Sequence, residues 1–584
     1  MLNLIDKVGE WNPQLFRELK GRLKFSHVAI ALTSSLLLQL VVFLYQLHDI
    51  PDNRYALSEP YCGSHQAYEH RQSYLSRQED LIDNQLNNSD PRVIPHLRAQ
   101  LRQIQDELYA ISKLLCPADR IDWQSWWQDH WQSIFLSLTV IFIFTLLVAG
   151  TYLLISDLAK EEQRGTLNFI RLSPQSAASI LTGKLLGVPI LIYLFVLAAI
   201  PFHLWAGHAA KIALSYIFSY YTILVASCIL FYNSTFLFSL ATRRFGSFQP
   251  WLGSGAILLY LYTTMMMSDA NDSHDLYQVT AWFRLFNPWD ITEYLFPHLF
   301  NNYRGNITIQ TLQFFSFPVG KNLITLIGFY LLSYGLLTSG TWQAIKRCFH
   351  NPNTTILSKG QSYLFVAGSQ VMFLGLAMPM HSGEETYLVL FNTIIFFGLI
   401  IILSPHRQTV QDWARYRHQK TDKSLFQDLM WGEKSPALLA IFMNLVIVAI
   451  PIMVVWTRRL DIFNAKVLLT VFLSITMMMI YATIAQLVLL MKTRKRTMWA
   501  IGILAVVMYL PAIILLLLGD SPAKNPTLWL FSSFPWVGIK YTATPTIFVA
   551  FLVELSLLIL LNIQLKRQVR ILGESATKAL LVSY

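Results

Sequence analysis

The chain has 584 residues, of which 54% are hydrophobic and 14% charged, with a mean hydropathy of +0.43. A soluble domain carries roughly 25% charged residues, so a soluble enzyme and a polar disordered chain are both excluded, and a polytopic, all-α membrane protein remains. Lys and Arg number 45 against 34 Asp and Glu, a net +11; in such a chain the excess reports cytoplasmic loops beside anionic lipid, not nucleic acid.

Residues 1–26 carry the first predicted element. Leu15, Phe16, Leu19 and Leu23 form an apolar face, and Arg17, Lys20, Arg22 and Lys24 are basic. That pattern predicts a helix lying in the membrane interface on the cytoplasmic side. Twelve apolar segments follow, near 27–47, 133–155, 185–206, 212–240, 249–267, 321–342, 362–380, 386–403, 438–456, 465–491, 497–518 and 546–563. Each approaches the roughly 20 residues needed to cross hydrocarbon. The first starts late and has no small-residue cleavage site after it, so it is expected to persist as a span. Basic residues concentrate at the N-terminus, in the loops 156–184, 241–248, 343–361, 404–437 and 492–496, and after 563. This places both termini in the cytoplasm, with Arg458 and Arg459 as the exception. A bacterial inner membrane is the expected location.

Residues 48–132 form a large polar insertion with eight basic and thirteen acidic residues, a net −5, which suits the outer side. Ile94, Leu97, Leu101, Ile104, Leu108, Ile111 and Leu115 are spaced 3-4-3-4-3-4, a coiled-coil seam. Tyr68, Leu75, Ile82 and Leu86 supply a weaker facing seam, and Asn87–Pro91 the turn. An antiparallel helical hairpin is predicted, with Cys62 and Cys116 stapled at its open end. The two thiols lack the further close ligands of a metal site, so no metal is expected. Trp123, Trp126, Trp127 and Trp131 then form an interfacial aromatic belt.

The loop after the second span reads Asp157-Leu158-Ala159-Lys160-Glu161-Glu162-Gln163-Arg164-Gly165-Thr166-Leu167-Asn168-Phe169-Ile170-Arg171-Leu172-Ser173-Pro174, with Thr182-Gly183-Lys184-Leu185 further on. Gly165 breaks the preceding helix, Thr166 can cap a short one, and Ser173-Pro174 ends it. That helix bears Leu167, Phe169 and Ile170, an apolar knuckle that a protein partner would cover, the alternative being a helix that packs back on the bilayer.

Acidic residues, Gly-Thr-Leu, Ser-Pro and then Gly-Lys-Leu together resemble the cytoplasmic loop of type-2 ABC exporter permeases. The opening Asn12-Pro13-Gln14-Leu15-Phe16-Arg17-Glu18-Leu19 is similar to their entry helix, and the resemblance covers roughly residues 10–345. It implies a six-span permease unit over 27–350, with 48–132 inserted in it, and short re-entrant helices within 268–320. It also implies a coupling helix that docks on a separate ATPase subunit through Glu161, Glu162, Gly165, Thr166, Leu167 and Pro174. Asn168 stands where the family more often has an acidic residue. The chain has no Gly-x-x-x-x-Gly-Lys-Ser/Thr of its own, so no catalytic residues or cofactors are expected in it. ATP and Mg would bind the partner subunit.

Residues 351–584 can be laid on the first half as a second, diverged six-span unit. The loop 404–437 then matches 156–184, Pro535-Trp536 matches Pro288-Trp289, and Ala449-Ile450-Pro451 matches Ala199-Ile200-Pro201. A fused pseudo-dimer is expected; the alternative is one permease unit with accessory spans, which would homodimerise. Glu554, in the last span, is the clearest intramembrane ionisable residue, a candidate either for a hydrogen bond between helices or for a substrate pathway. Gln39, Asn233, Gln370, Asn392 and Gln486 are further polar span residues. The expected function is thus ATP-driven export of an unidentified substrate by a permease that is not itself an enzyme. The alternatives are an ion-coupled secondary transporter, for which one Glu is thin support, and a non-transporting scaffold or sensor that uses the outer hairpin.

Overall fold

The computed structural model describes all residues except 1–8, 52–54, 89–92, 271–279, 296–308, 352–353, 378–384, 418–423, 460–464, 494, 540 and 575–584. Among the described residues the regular structure is helical, and extended pairing is limited to isolated bridges. Eight helices are long and apolar enough to cross a membrane: Phe25–Gln46, Trp123–Gln163, Ile190–Ala209, Leu214–Ala241, Leu323–His350, Ala465–Leu489, Arg496–Leu517 and Thr544–Gly573. A ninth is counted if Leu388–Leu403 and Arg407–Arg417, bent by 63°, form one broken span. The chain is therefore an all-α polytopic membrane protein. The other segments predicted to span are helical over Gln249–Ala270, Lys359–Ala377 and Leu438–Arg459; among the described residues the first two fall short in apolarity, and the third is apolar over Leu438–Met453.

The chain divides into two compact units. One comprises residues 21–146 and 190–221. In it His65–Asn88 packs along Ile94–Ser112. Tyr68, Leu75, Leu97 and Ile104 are buried between them, as the heptads predict. Leu115 falls past the helix end and is exposed. The expected turn lies partly outside the described residues: the first helix runs through Asn88, and Ser89–Pro91 are not described. Cys62 and Cys116 are joined, with Cα atoms 5.9 Å apart. Backbone bonds flank them, Cys116 N to Tyr55 O at 2.7 Å and Gly63 N to Arg120 O at 2.7 Å.

Because the disulfide closes 54 residues, the chain-entropy argument assigns it about 4 kcal/mol. Replacing Cys62 or Cys116 by Ser should cost about 2–4 kcal/mol, seen as a lower unfolding midpoint in detergent. Wild type alone should change mobility between reducing and non-reducing electrophoresis. Equal mobility would remove the staple.

The tryptophan run only partly forms a belt. Trp126 is fully buried and stacks on His130 at 3.7 Å, while Trp123 and Trp127 are exposed. Trp127 stacks on Trp131, and Trp131 meets Trp205 edge-on at 4.4 Å. One tryptophan is thus core, and the rest give the ring surface that interfaces favour.

The other unit comprises residues 1–20, 147–189 and 222–584. Within 268–320, a short helix runs Trp289–Leu295 and a buried Arg284–Asp290 pair (3.3 Å) holds the preceding turn. The polar span residues of this unit tie helices together. Gln370 donates to Asn392 at 2.7 Å and Gln486 donates to the Pro405 carbonyl at 3.3 Å. These are the ordinary interhelical bonds of a membrane bundle.

Candidate functional site

The helix Gly150–Gln163 is the polar-ended continuation of the second span. Its carbonyls are closed off by Gly165 at φ 71°, a left-handed conformation that a side chain disfavours. The chain turns there into an elbow helix, Thr166–Arg171. Thr166 does not cap it. Gly165 occupies the capping position, and the Thr166 hydroxyl instead donates back to the Glu161 carbonyl at 3.1 Å. A residue just inside a helix points its oxygen toward the preceding turn, so the left-handed glycine displaces the cap by one position. Ser173 closes the far end by donating to Ile170 O at 2.7 Å, just before Pro174.

The four apolar side chains of the elbow split into two faces. Leu167 and Ile170 are buried, at 2% and 6% exposure. Phe169 and Leu172 stand out at 79% and 86%. The exposed knuckle is therefore Phe169 with Leu172, and Ile170 anchors it from below. Gly165, Thr166 and Pro174 are exposed around it, whereas Glu161 and Glu162 are half-buried. Leu167 borders a cavity of about 200 Å³ together with Leu158, Glu162, Ser239 and Gln249.

Behind the elbow lies a charge cluster. Lys184, 1% exposed, donates to Asp157 at 2.6 Å, Glu161 at 2.8 Å and Glu18 at 3.3 Å. Arg17 closes a further bond to Glu161, and Gln14 donates to Glu18 at 2.8 Å. The three carboxylate ligand atoms lie within 4.8 Å of one another, a spacing that metal ligands also share, and the Lys184 ammonium bonds all three residues. Burial by itself lowers the Lys184 pKa; Asp157, Glu18 and Glu161 more than reverse this, so it is raised. The cluster joins three pieces of chain: the entry helix Pro13–Arg22, the end of Gly150–Gln163, and the helix Ala177–Gly187.

The entry helix can reach that cluster because of two glycines. A Cβ on Gly183 would lie 2.8 Å from the Leu15 nitrogen, and one on Gly187 would lie 2.5 Å from the Glu18 Cβ. Gly183 and Gly187 are a small-xxx-small pair, the spacing that lets helix backbones approach closely. Asn12 fixes the register: its amide donates to Ser179 O at 2.8 Å and its carbonyl accepts from Leu15 N at 3.0 Å. Gly187→Val should push the entry helix off, at a cost of about 1–3 kcal/mol. Trypsin should then cut after Arg17 and Lys20 roughly ten times faster than in wild type; unchanged cleavage would contradict this packing.

Sequence reasoning had named Gly183 and Lys184 only as motif letters, and had left Glu18 and Asp157 without a role. The available signal was a lysine in an apolar run, flanked by glycines four apart. Glu554 lies elsewhere. It is buried between Ala465–Leu489 and Thr544–Gly573 and accepts a bond from the Thr476 hydroxyl at 2.8 Å. A smaller cavity in that half, about 70 Å³, is lined by Thr470, Ser474, Met478 and Trp536 among others, not by Glu554.

No family model matches the chain, and no curated protein or solved structure is similar to it.

Proposed function

We propose that the chain is the membrane permease of an ATP-driven exporter of the type-2 ABC class, and that a separate ATPase docks on the elbow helix. One observation supports this reading: Phe169 and Leu172 are left uncovered by this chain on an elbow whose other face is buried and whose base is locked by a four-member ion cluster. An exposed apolar pair on a rigid stalk is costly unless covered, and the stalk is continuous with a membrane helix. Force applied at Phe169 would pass through Glu161 and Asp157 to Lys184 and the entry helix together, so these elements would move as one body. ATP binding and hydrolysis in the partner would supply the two states, and the permease would respond to the difference in contacts between them. ATP and Mg belong to that partner; this chain contributes binding and motion.

The reading includes twelve spans, both termini in the cytoplasm of a bacterial cell, and the disulfide hairpin outside. It also includes a pseudo-dimer in one chain. In each half a short polar-side helix, Thr166–Arg171 or Leu425–Trp431, is followed by Ser-Pro, at Ser173-Pro174 or Ser435-Pro436. Each half also has a short helix starting at Pro-Trp before its last long helix. Glu554 is outside this mechanism, because its bond to Thr476 fits a tie between two helices. The protein purified from its native membranes in mild detergent should carry Mg-dependent ATPase activity. A preparation that holds the intact chain and hydrolyses no ATP would overturn the proposal.

A further inference from the structure

The second half ends on an amphipathic surface, built on the counterpart of the elbow helix, to which the exporter reading assigns no partner. Helix Leu425–Trp431 buries none of its residues. Leu425, Phe426 and Trp431 are 49%, 61% and 57% exposed, and Tyr416 on the neighbouring helix Arg407–Arg417 is 62% exposed. Asp428 ties the two helices by accepting from Trp413 and, at 3.3 Å, from Arg417. Helix Arg407–Arg417 in turn packs through Val410 on Leu565 and Leu572 of the last helix. Ala414 approaches Gly573 closely enough that a Cβ on the glycine would lie 3.2 Å from its own.

Arg415 is exposed on helix Arg407–Arg417, and Lys566, Arg567 and Arg570 are exposed on the last helix against which it packs. None of the four forms an ion pair with a described residue; Asp428 pairs with Arg417 and Glu433 with Arg347 at 2.6 Å, while the acids Asp412 and Glu574 lie on the same two elements, giving four cations against two acids.

The position of this surface relative to the bilayer can be read from its anchors. The Tyr363 hydroxyl donates to Met430 O at 2.8 Å, Lys359 donates to Leu429 O at 2.7 Å, and Trp431 meets the Tyr363 ring edge-on at 5.4 Å. Lys359 and Tyr363 lie in the first turns of helix Lys359–Ala377, at the start of an apolar segment. Lys566, Arg567 and Arg570 follow the apolar part of the last helix by three to seven residues, about 4–10 Å at 1.5 Å per residue. This surface therefore lies where apolar segments of its own half begin and end.

We propose that Leu425, Phe426 and Trp431, with Arg415, Lys566, Arg567 and Arg570, form a docking surface for anionic phospholipid of the adjoining leaflet. The rings enter the acyl boundary and the cations take the phosphates. Interfacial helices combine buried apolar area with attraction to anionic headgroups, and each basic residue near such a surface adds to that attraction. The charge complementarity and the height of the anchors both select lipid over a protein partner.

The test uses the full chain in nanodiscs, with Cys228→Ser and Cys348→Ser and a fluorophore on Phe426→Cys. A second preparation carries the label on Phe169→Cys. Brominated phosphatidylcholine serves as quencher, with or without about 30% phosphatidylglycerol. Label 426 should be quenched about threefold more in the anionic discs, and label 169 little in either. Changing Arg415, Lys566, Arg567 and Arg570 together to Gln should abolish the anionic dependence while leaving the thermal midpoint in place. Three results would overturn the proposal: no quenching at 426 in any disc; equal quenching with and without phosphatidylglycerol; or shielding of label 426 only when a soluble protein is added.

Discussion

Phe169→Asp combined with Leu172→Asp should abolish association with the ATPase while leaving the fold intact. Both side chains are more than three-quarters exposed in the isolated chain, so neither change empties a core. In the complex each would remove the burial of a large apolar side chain, about 1.5–3 kcal/mol, and would bury an unpaired carboxylate. Together they should cost about 3 kcal/mol or more, on the order of a hundredfold in affinity. Leu167→Asp is the instructive contrast. At 2% exposure it should unseat the elbow itself, so its loss of binding would come with a lower thermal midpoint. Measuring ATPase binding and thermal unfolding side by side separates the two effects. A Phe169→Asp/Leu172→Asp variant that binds as wild type would place the docking surface elsewhere.

The second large effect is expected at Lys184. Lys184→Met conserves much of the volume and removes the buried cation, leaving Glu18, Asp157 and Glu161 facing one another. Breaking a buried ion pair from one side costs about 3–5 kcal/mol. The thermal midpoint should drop and the entry helix should become open to protease. A midpoint within about one degree of wild type would contradict the structural role.

The pH dependence has a definite sign. The folded pKa of Lys184 is raised, so its contribution is fully present below the ordinary lysine range. It is lost only as pH rises through the raised value. The contribution of Lys184 itself should therefore be flat through neutral pH and fall only in strong alkali.

Particular residues explain what the sequence could disclose. The hairpin was legible because its seam repeats over heptads, and because Cys62 and Cys116 bracket it. The elbow's limits were legible because Gly165 and Pro174 act locally. Its faces were not: apolar residues at 167, 169, 170 and 172 run around more than half of a six-residue helix, so periodicity cannot select the buried side. The ion cluster was hidden for a different reason. Lys184 and Glu18 are 166 residues apart, and no local rule links them. Gly183 and Gly187 show only that something approaches closely. Spans such as 249–267 and 362–380 carry enough polar and small residues that length and hydropathy alone do not mark them as crossings.

The most direct measurement is a site-specific cross-link from the elbow. A photoreactive group placed at Phe169 should, in native membranes, yield an adduct with a soluble-type ATPase subunit, with its yield changing when ATP is trapped. An adduct only with lipid, or only with this chain itself, would contradict the account.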